Sequence, residues 1–405
     1  MVAIRSARVF DGTEFLSGGG TVLVRDGRIV GIEPGFLDLG ADWEIVDVPE
    51  ATVLPGLIDT HVHLVADSQK DALDRVAGFT EEEIDEVVTD GLLRSLAAGV
   101  TTVRDLGDRH FRVVARRDRQ RRTPGLLEPT IVASGPPLTS PGGHCYYMGG
   151  EIPDRPTLDA AIRERVDRGV DVIKVMASGG MTTAGSDITG TQFSVEDLQF
   201  LVDRAHAAGL PVAAHAQSLP SVEAALAAGV DAIEHCSCMT EKGPVVTDDL
   251  IARLAGSGAV VGGVFGVRPV ISLEQAPVNV RAFAERTGAT VEAMVARRRE
   301  AMNRMYRGGV RFVTGADSGL ADWRAHGQLY TSVEQFVTAG ADVVTALAAS
   351  TSVAAKACGV GQRKGRLRPG YDADILVVDG DLTGDVGRLA DVRSVMLAGT
   401  FLPAG

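Results

Sequence analysis

The chain reads as an α/β protein: a (β/α)8 barrel of the TIM type, with a small β domain assembled from its two ends. Three observations predict this. Both ends consist of short strand-like runs separated by turns. Between them, eight apolar runs of strand length alternate with amphipathic helical stretches. The rare polar groups of that middle part fall at the C-terminal ends of the apolar runs, where a barrel of this kind carries its chemistry.

Taken in order, Ala3–Val9 and Thr21–Arg25 are strand-like, and Arg25-Asp26-Gly27-Arg28 is a hairpin signal. The run Thr52-Val53-Leu54 leads toward Pro55-Gly56-Leu57-Ile58-Asp59-Thr60-His61-Val62-His63 and reads as the first strand of the barrel. Seven more follow: Thr101–Asp105, Thr130–Ser134, Asp171–Met176, Leu210–His215, Asp231–His235, Ala259–Gly262 and Val310–Thr314. Among the intervening helices, the one from Ser194 to Ala208 has Ser194 as N-cap, Asp197 three residues on, and Gly209 as its stop. Asp374–Asp379 and Val392–Leu397 are strands again, with turns at Asp379-Gly380 and Ala398-Gly399. The expected division is residues 1–55 with 362–405 as one composite β domain and 56–361 as the barrel.

With 405 residues, 45% of them hydrophobic and 23% charged, the chain can bury a sizeable core. Forty basic against 53 acidic residues leave a net charge of −13, which argues against a nucleic-acid partner. The run Arg116-Arg117-Asp118-Arg119-Gln120-Arg121-Arg122 is the exception and reads as the solvated face of a helix. No apolar stretch reaches the roughly 18 residues of a membrane span. Met1–Ser6 lacks the pattern of a signal peptide. Four scattered cysteines fit a reducing compartment, so the cytoplasm is expected; Cys236 and Cys238 read as small buried hydrophobes.

Only eight histidines are present, and two of them stand one residue apart. Alternate side chains of a strand share a face, so His61 and His63 aim at one point and make half a metal site. Lys174 lies in the fourth barrel strand, His215 ends the fifth, His235 ends the sixth, and Asp317 follows the eighth. Six metal-competent groups therefore converge on one mouth. Lysine is the odd member, because a buried ammonium is costly and ligates nothing. Either a carboxylate such as Glu234 or Asp317 pairs with it, or CO2 has converted it to a carbamate able to bridge two cations.

On these residues the chain resembles the amidohydrolase superfamily over nearly its whole length. The segment from Pro55 to His63 matches the superfamily's first-strand motif. Ile173-Lys174-Val175-Met176-Ala177-Ser178-Gly179-Gly180 looks like the branch of imidazolonepropionase-like proteins and bacterial Xaa-Pro and Xaa-Arg dipeptidases. So do Gly209–Ala216, Gly229–His235, Thr314–Gly319 and the tail Gly365–Ile375. The resemblance implies that the two ends form a β-sandwich. It also implies a binuclear centre, with His61, His63 and Asp317 on the more buried metal and His215 and His235 on the more exposed one. Carboxylated Lys174 would bridge the two. The ions would be divalent, zinc first, with manganese, cobalt or iron(II) as alternatives. True imidazolonepropionases and most deaminases of the superfamily lack the bridging lysine, which points away from those activities.

The implied reaction is hydrolysis of an amide C–N bond in a small substrate such as a dipeptide or N-acyl amino acid. A metal-bridging hydroxide would attack, with Asp317 as general base and then acid. The alternative is a cyclic amide, lactam or carbamate, or a specialised C–N hydrolysis in secondary metabolism or xenobiotic breakdown; a ligand-binding barrel without turnover is a further, weaker reading. His144, in the loop Thr139–Tyr147, would meet the substrate carbonyl, although Cys145 stands where the branch has glycine. Tyr147, Arg268 and His326 are candidate substrate contacts, and Arg324 is a loop arginine that reads as solvated unless it too meets a carboxylate. After the sixth strand, Cys236–Thr240 replaces the tyrosine frequent in the branch. His206 reads as structural and His110 as a weaker mouth residue. A homo-oligomer is open, since no interface signature stands out.

Overall fold

The computed structural model describes residues 1–263 and 272–402. Its centre is made of eight parallel strands: β1 (Leu57–Val62), β2 (Val100–Asp105), β3 (Thr130–Ala133), β4 (Ile173–Met176), β5 (Val212–Ser218), β6 (Ala232–Thr240), β7 (Val260–Gly263) and β8 (Phe312–Thr314). β1–β3 form one hydrogen-bonded run and β4–β8 another, each in chain order. Two parallel bridges link the runs, Leu138 with Val175 and Val62 with Ser318. Helices separate successive strands, which is the α/β arrangement of a TIM-barrel-type fold. The strands are buried almost throughout, as parallel strands covered on both faces must be, which is why they read as near-continuous apolar runs.

The helix boundaries follow local chemistry. Thr80 and Glu83 form a reciprocal capping box before Glu81–Ala97. The Ser194 hydroxyl accepts from the Asp197 amide at 3.1 Å and opens Val195–Ala207, as its sequence predicts.

The terminal segments build two further sheets. One joins Arg28–Pro34, Gly20–Arg25, Val2–Ser6 and Glu44–Asp47. The other joins Thr400–Phe401, Val392–Leu397, Ile375–Asp379, Ala51–Pro55 and Arg8–Val9. Ile4, Val22, Ile29, Val53, Ile375 and Met396 from both sheets share one apolar cluster.

Two expectations need correction here. Thr52-Val53-Leu54 is not the first barrel strand. It lies in Ala51–Pro55, which pairs antiparallel with Ile375–Asp379. The chain crosses from that sheet into β1 at Gly56, where a Cβ would lie 2.2 Å from the Thr101 hydroxyl. The basic run is a solvated face only in part, since Arg119, Arg121 and Arg122 are exposed but the others are not. Arg117 is buried and paired with Asp118 and Asp171, Arg116 with Glu128, and Arg121 with Asp171. Most of the charge near Arg116 and Arg117 is therefore neutralised by neighbouring carboxylates.

Candidate metal centre

β1 delivers His61 and, one residue past its end, His63. Asp317 reaches them from the segment after β8, held in a left-handed conformation at φ 53°. Such a backbone costs a non-glycine residue energy and persists only where the surroundings hold it. Here the Asp317 amide donates to the His61 carbonyl at 2.8 Å. The buried Asp59 carboxylate straps the same two segments together, accepting from the His61 amide at 3.1 Å, the Ala316 amide at 3.0 Å and the Ser318 hydroxyl at 3.1 Å. As a result the ligand atoms of His61, His63 and Asp317 lie within 4.8 Å of one another, all buried. His61 Nε2 is 3.5 Å and His63 Nε2 3.2 Å from Asp317 Oδ1.

The other imidazoles continue the cluster. His235 sits 5.1 Å from His61 and 4.6 Å from His215, ring centre to ring centre, and His144 lies 4.5 Å from His215. β6 bulges where it carries His235. His235, Cys236 and Cys238 all have positive φ, and the pairing with β5 slips between Ala216 and Ser218. Lys174, from β4, is 1% exposed, and its Nζ has no hydrogen-bond partner. All six groups and His144 line one cavity.

Burial dominates the electrostatics. It lowers His61 to about 4 and His144 to about 3, and it takes His215 and His235 well below the usual imidazole value. Neutral imidazoles keep a lone pair for a metal. Burial also lowers Lys174 to about 8, against the pull of Glu234 and Asp317. It would raise the Asp317 carboxyl, but His61, His63 and Arg324 outweigh it and hold that group well below its ordinary range.

Behind His61 stands a pair, Glu234 and Arg104, which the sequence does not connect to it; from the sequence Glu234 is expected only as a possible partner of Lys174. The His61 ring faces Glu234 through Nδ1 at 2.9 Å, and Arg104 Nη2 donates to the other Glu234 oxygen at 2.8 Å. Burial would raise Glu234, yet Arg104 and His61 bring it down to about 2. A carboxylate behind a ligating histidine fixes its tautomer and leaves Nε2 free to bind. Gly262 makes the space, since a Cβ there would lie 1.9 Å from Glu234. The only signals were an arginine inside the apolar strand Thr101–Asp105 and a glutamate beside His235.

These residues test whether metal ions fit. The donors are imidazole and carboxylate. Besides Lys174 Nζ, His63 Nδ1 and Asp317 Oδ1 are buried without a hydrogen-bond partner. A buried polar group left unpaired is costly. Cations at this mouth would satisfy the Asp317 oxygen, and a carbamate would remove the lone ammonium. The donor set fits divalent metals.

The amidohydrolase family model matches residues 52–402. The chain belongs to the amidohydrolase family. It is an enzyme, a metal-dependent amidohydrolase. Among relatives, it is 24% identical over 371 residues to an ochratoxinase of Aspergillus niger, spanning 85% of this chain and 73% of that one. It is 27% identical over 404 residues to an imidazolonepropionase of Symbiobacterium thermophilum, spanning 89% and 84%. Among solved structures, a Xaa-Pro dipeptidase with bound methionine in its active site superposes with a TM-score of 0.85 at 23% identity, covering all of both chains.

Other expected site residues of this amidohydrolase fall in different places. His144 lines the cavity. Its Nδ1 lies 2.8 Å from the Thr183 hydroxyl, and that hydroxyl accepts from the Cys145 amide at 3.1 Å. A Cβ on Gly180 would collide with the His144 ring at 2.3 Å. Tyr147 stands one layer back, its hydroxyl 3.3 Å from Thr183 Oγ1. His326 does not line the cavity. Its buried ring packs over Gly91, with Nε2 3.1 Å from the Ala66 carbonyl, against the loop after β1. Arg324 is not solvated: it is 8% exposed and donates to Asp317 Oδ2. His206 pairs with Asp231 on the surface, and His110 is exposed. Arg268 lies outside the described residues. Among the described residues, no helix is long and apolar enough to cross a membrane.

Proposed function

We propose that this amidohydrolase cleaves the C–N bond of an amide in a small substrate, a dipeptide or N-acyl amino acid, at a binuclear metal centre. The observation that carries the reading is Lys174: a buried amine without a hydrogen-bond partner, in one cavity with five histidines and Asp317. Its lone pair can add to CO2 with loss of a proton, giving a carbamate with two oxygens. His61, His63 and Asp317 would hold one metal, His215 and His235 the other, and the Lys174 carbamate both. Zinc is the first candidate. Two such ions would supply a water that ionises near neutral pH and positive charge for the scissile carbonyl.

The rest falls to the chain's own groups. Asp317 takes the proton of the attacking water and passes it to the leaving nitrogen. Arg324 holds the far oxygen of Asp317, which fixes the carboxylate for that transfer. The Thr183 hydroxyl accepts from the Cys145 amide and can give its own proton to His144 Nδ1. That leaves the His144 Nε2–H to donate to the substrate carbonyl. No serine or cysteine nucleophile is required. The finer architecture goes with this reading: residues 1–55 and 362–405 as one β-sandwich, 56–361 as a closed barrel, and a cytoplasmic location for a chain whose four cysteines are free and buried.

Elemental analysis of protein purified without chelator tests the centre. Close to two transition-metal ions per chain, with release of amine from N-acyl amino acids, supports the proposal. Close to one, with activity confined to cyclic amides, overturns it.

A further inference from the structure

The loop after β4 reaches two of the cavity's histidines. The Gly179 carbonyl lies 3.2 Å from His215 Nε2, and the Thr183 hydroxyl lies 2.8 Å from His144 Nδ1. Gly180 packs against the His144 ring, where a Cβ would come within 2.3 Å of it. Met181 and Thr182, between them, line the cavity. A hydroxyl can orient an imidazole only if its own backbone is fixed. What holds residues 180–186 therefore decides how His144 points.

That support comes from a distant element. The helix Val278–Thr287 starts after Pro277, with no side chain capping it. The Asn279 backbone amide donates instead to the Met181 carbonyl at 3.1 Å. The Asn279 side chain reaches further. Its Nδ2 lies 2.7 Å from the Gly180 carbonyl, 2.7 Å from the Thr183 carbonyl and 3.1 Å from the Ser186 carbonyl. Three carbonyl oxygens around one side-chain atom identify it as the nitrogen, with two protons to share among them. Ser186 gives the turn a donor of its own, its hydroxyl 2.8 Å from the Thr183 carbonyl. Asn279 ties that turn to the helix, and the same helix lines the cavity through Val280 and Phe283.

We infer that Asn279 is the positioning residue for His144. Its carboxamide gathers the carbonyls of residues 180, 183 and 186 and so fixes the Thr183 hydroxyl. That hydroxyl keeps His144 Nδ1 as an acceptor and leaves the Nε2–H for the substrate carbonyl. This rests on the role proposed for His144 above and adds the part that sets it. Asn279 itself touches no reacting atom, and Pro277-Val278-Asn279-Val280 marks it in the sequence as no more than an early helix residue.

Asn279→Asp keeps the outline of the side chain but sets an acceptor against three acceptors. Asn279→Ala removes the donor without adding a charge. The first readout is NMR of zinc-loaded protein labelled with 15N-histidine, the His144 signals being those that His144→Ala deletes. In the native protein Nδ1 should appear as a bare nitrogen and Nε2 as a protonated one. Both Asn279 variants should mix the two tautomers, as should Thr183→Val, which removes the hydroxyl itself. His206, paired with Asp231 on the surface, should stay unchanged and report an intact fold. The second readout is turnover of N-acyl amino acids. His144→Ala should lower kcat by about 10²- to 10³-fold, as for loss of a donor to a developing oxyanion. Asn279→Asp should lower it by up to about 10²-fold, the cost of a misplaced group. It should lower it no further once His144 is alanine, because a residue acting through another is not additive with it. A native His144 with its proton on Nδ1 overturns the inference. So does a His144 spectrum indifferent to both Asn279 variants, or an equal fall in kcat with and without His144. Should the protein hydrolyse no N-acyl amino acid, the proposed reaction fails, and the spectra alone decide whether Asn279 positions His144.

Discussion

Glu234→Gln should damage two properties at once, for reasons that can be separated. In the native protein both oxygens of Glu234 face donors, Arg104 Nη2 at 2.8 Å and His61 Nδ1 at 2.9 Å. Glutamine has one acceptor oxygen, and its amide nitrogen would set a donor against the remaining donor. The Arg104 guanidinium, 2% exposed, would keep only its contact from Nε to the Thr60 carbonyl at 2.7 Å. Removing one partner of a buried ion pair costs about 3–5 kcal/mol. Urea unfolding of metal-stripped wild type and variant, followed by circular dichroism, should show a loss of that order. If His61 instead turns its tautomer to suit glutamine, Nε2 carries the proton and no longer binds metal. Losing such an outer carboxylate lowers metal affinity by about 10- to 100-fold, readable by competition with a chelator. The double variant Arg104→Met/Glu234→Leu separates the effects. Stability should recover in part, because a buried pair replaced by apolar residues is often neutral. Metal affinity should stay low, because His61 still lacks its carboxylate. A single variant within about 1 kcal/mol of wild type, well short of the buried-pair cost, and with unchanged metal affinity, would refute this account of the pair.

Lys174→Ala should lose at least one metal and most of the turnover; survival of both would sink the binuclear centre. Asp317→Asn should lower kcat by about 10²- to 10⁴-fold, the usual worth of a general acid–base, with a much smaller effect on substrate binding. An unchanged kcat would remove Asp317 as the proton carrier. For His326, burial lowers the folded value to about 4, from 6.5. Between those values the unfolded chain binds more protons, so this residue's contribution to stability falls as pH falls. The destabilisation caused by His326→Gln should therefore shrink by about 2 kcal/mol between pH 7.5 and 5. A pH-independent difference in urea unfolding would mean that His326 titrates normally in the folded protein.

What could be read from the sequence, and what could not, divides along the distance over which a residue's partner is found. His61 and His63 were legible because a strand's two-residue period is local, and Lys174, His215, His235 and Asp317 because each stands at or near the end of an apolar run. The break at Gly56 was hidden, since Thr52 to Ile58 is apolar nearly throughout and only a close approach to Thr101 tells one sheet from the other. The role of Glu234 was hidden because its partners lie 173 and 130 residues away. Arg104 was the signal to weigh, because a guanidinium inside an apolar strand requires a carboxylate somewhere and Glu234 already stood beside a proposed ligand.

His326 and Arg298 show the same rule from opposite sides. The position of His326, after the eighth strand, suggested the substrate pocket, yet the ring turns the other way, onto a helix glycine at position 91. Arg298 sits among Arg297 and Arg299 in a run that looks uniformly solvated, yet one of the three lines the cavity. Strand order places residues at the mouth of such a fold, but rotation about a loop or a helix axis decides which of them face inward. The placement of proposed ligands that depends only on strand order is therefore readable from sequence, while the placement of proposed substrate contacts, carried on the loops and helices outside the strands, emerges only from the folded chain. That asymmetry is why the proposed metal ligands and the proposed substrate contacts call for different experiments. Substitution at Lys174 tests a position that strand order places, and substitution at Asn279 tests the orientation of His144, which only the packing of Val278–Thr287 against the loop after β4 sets.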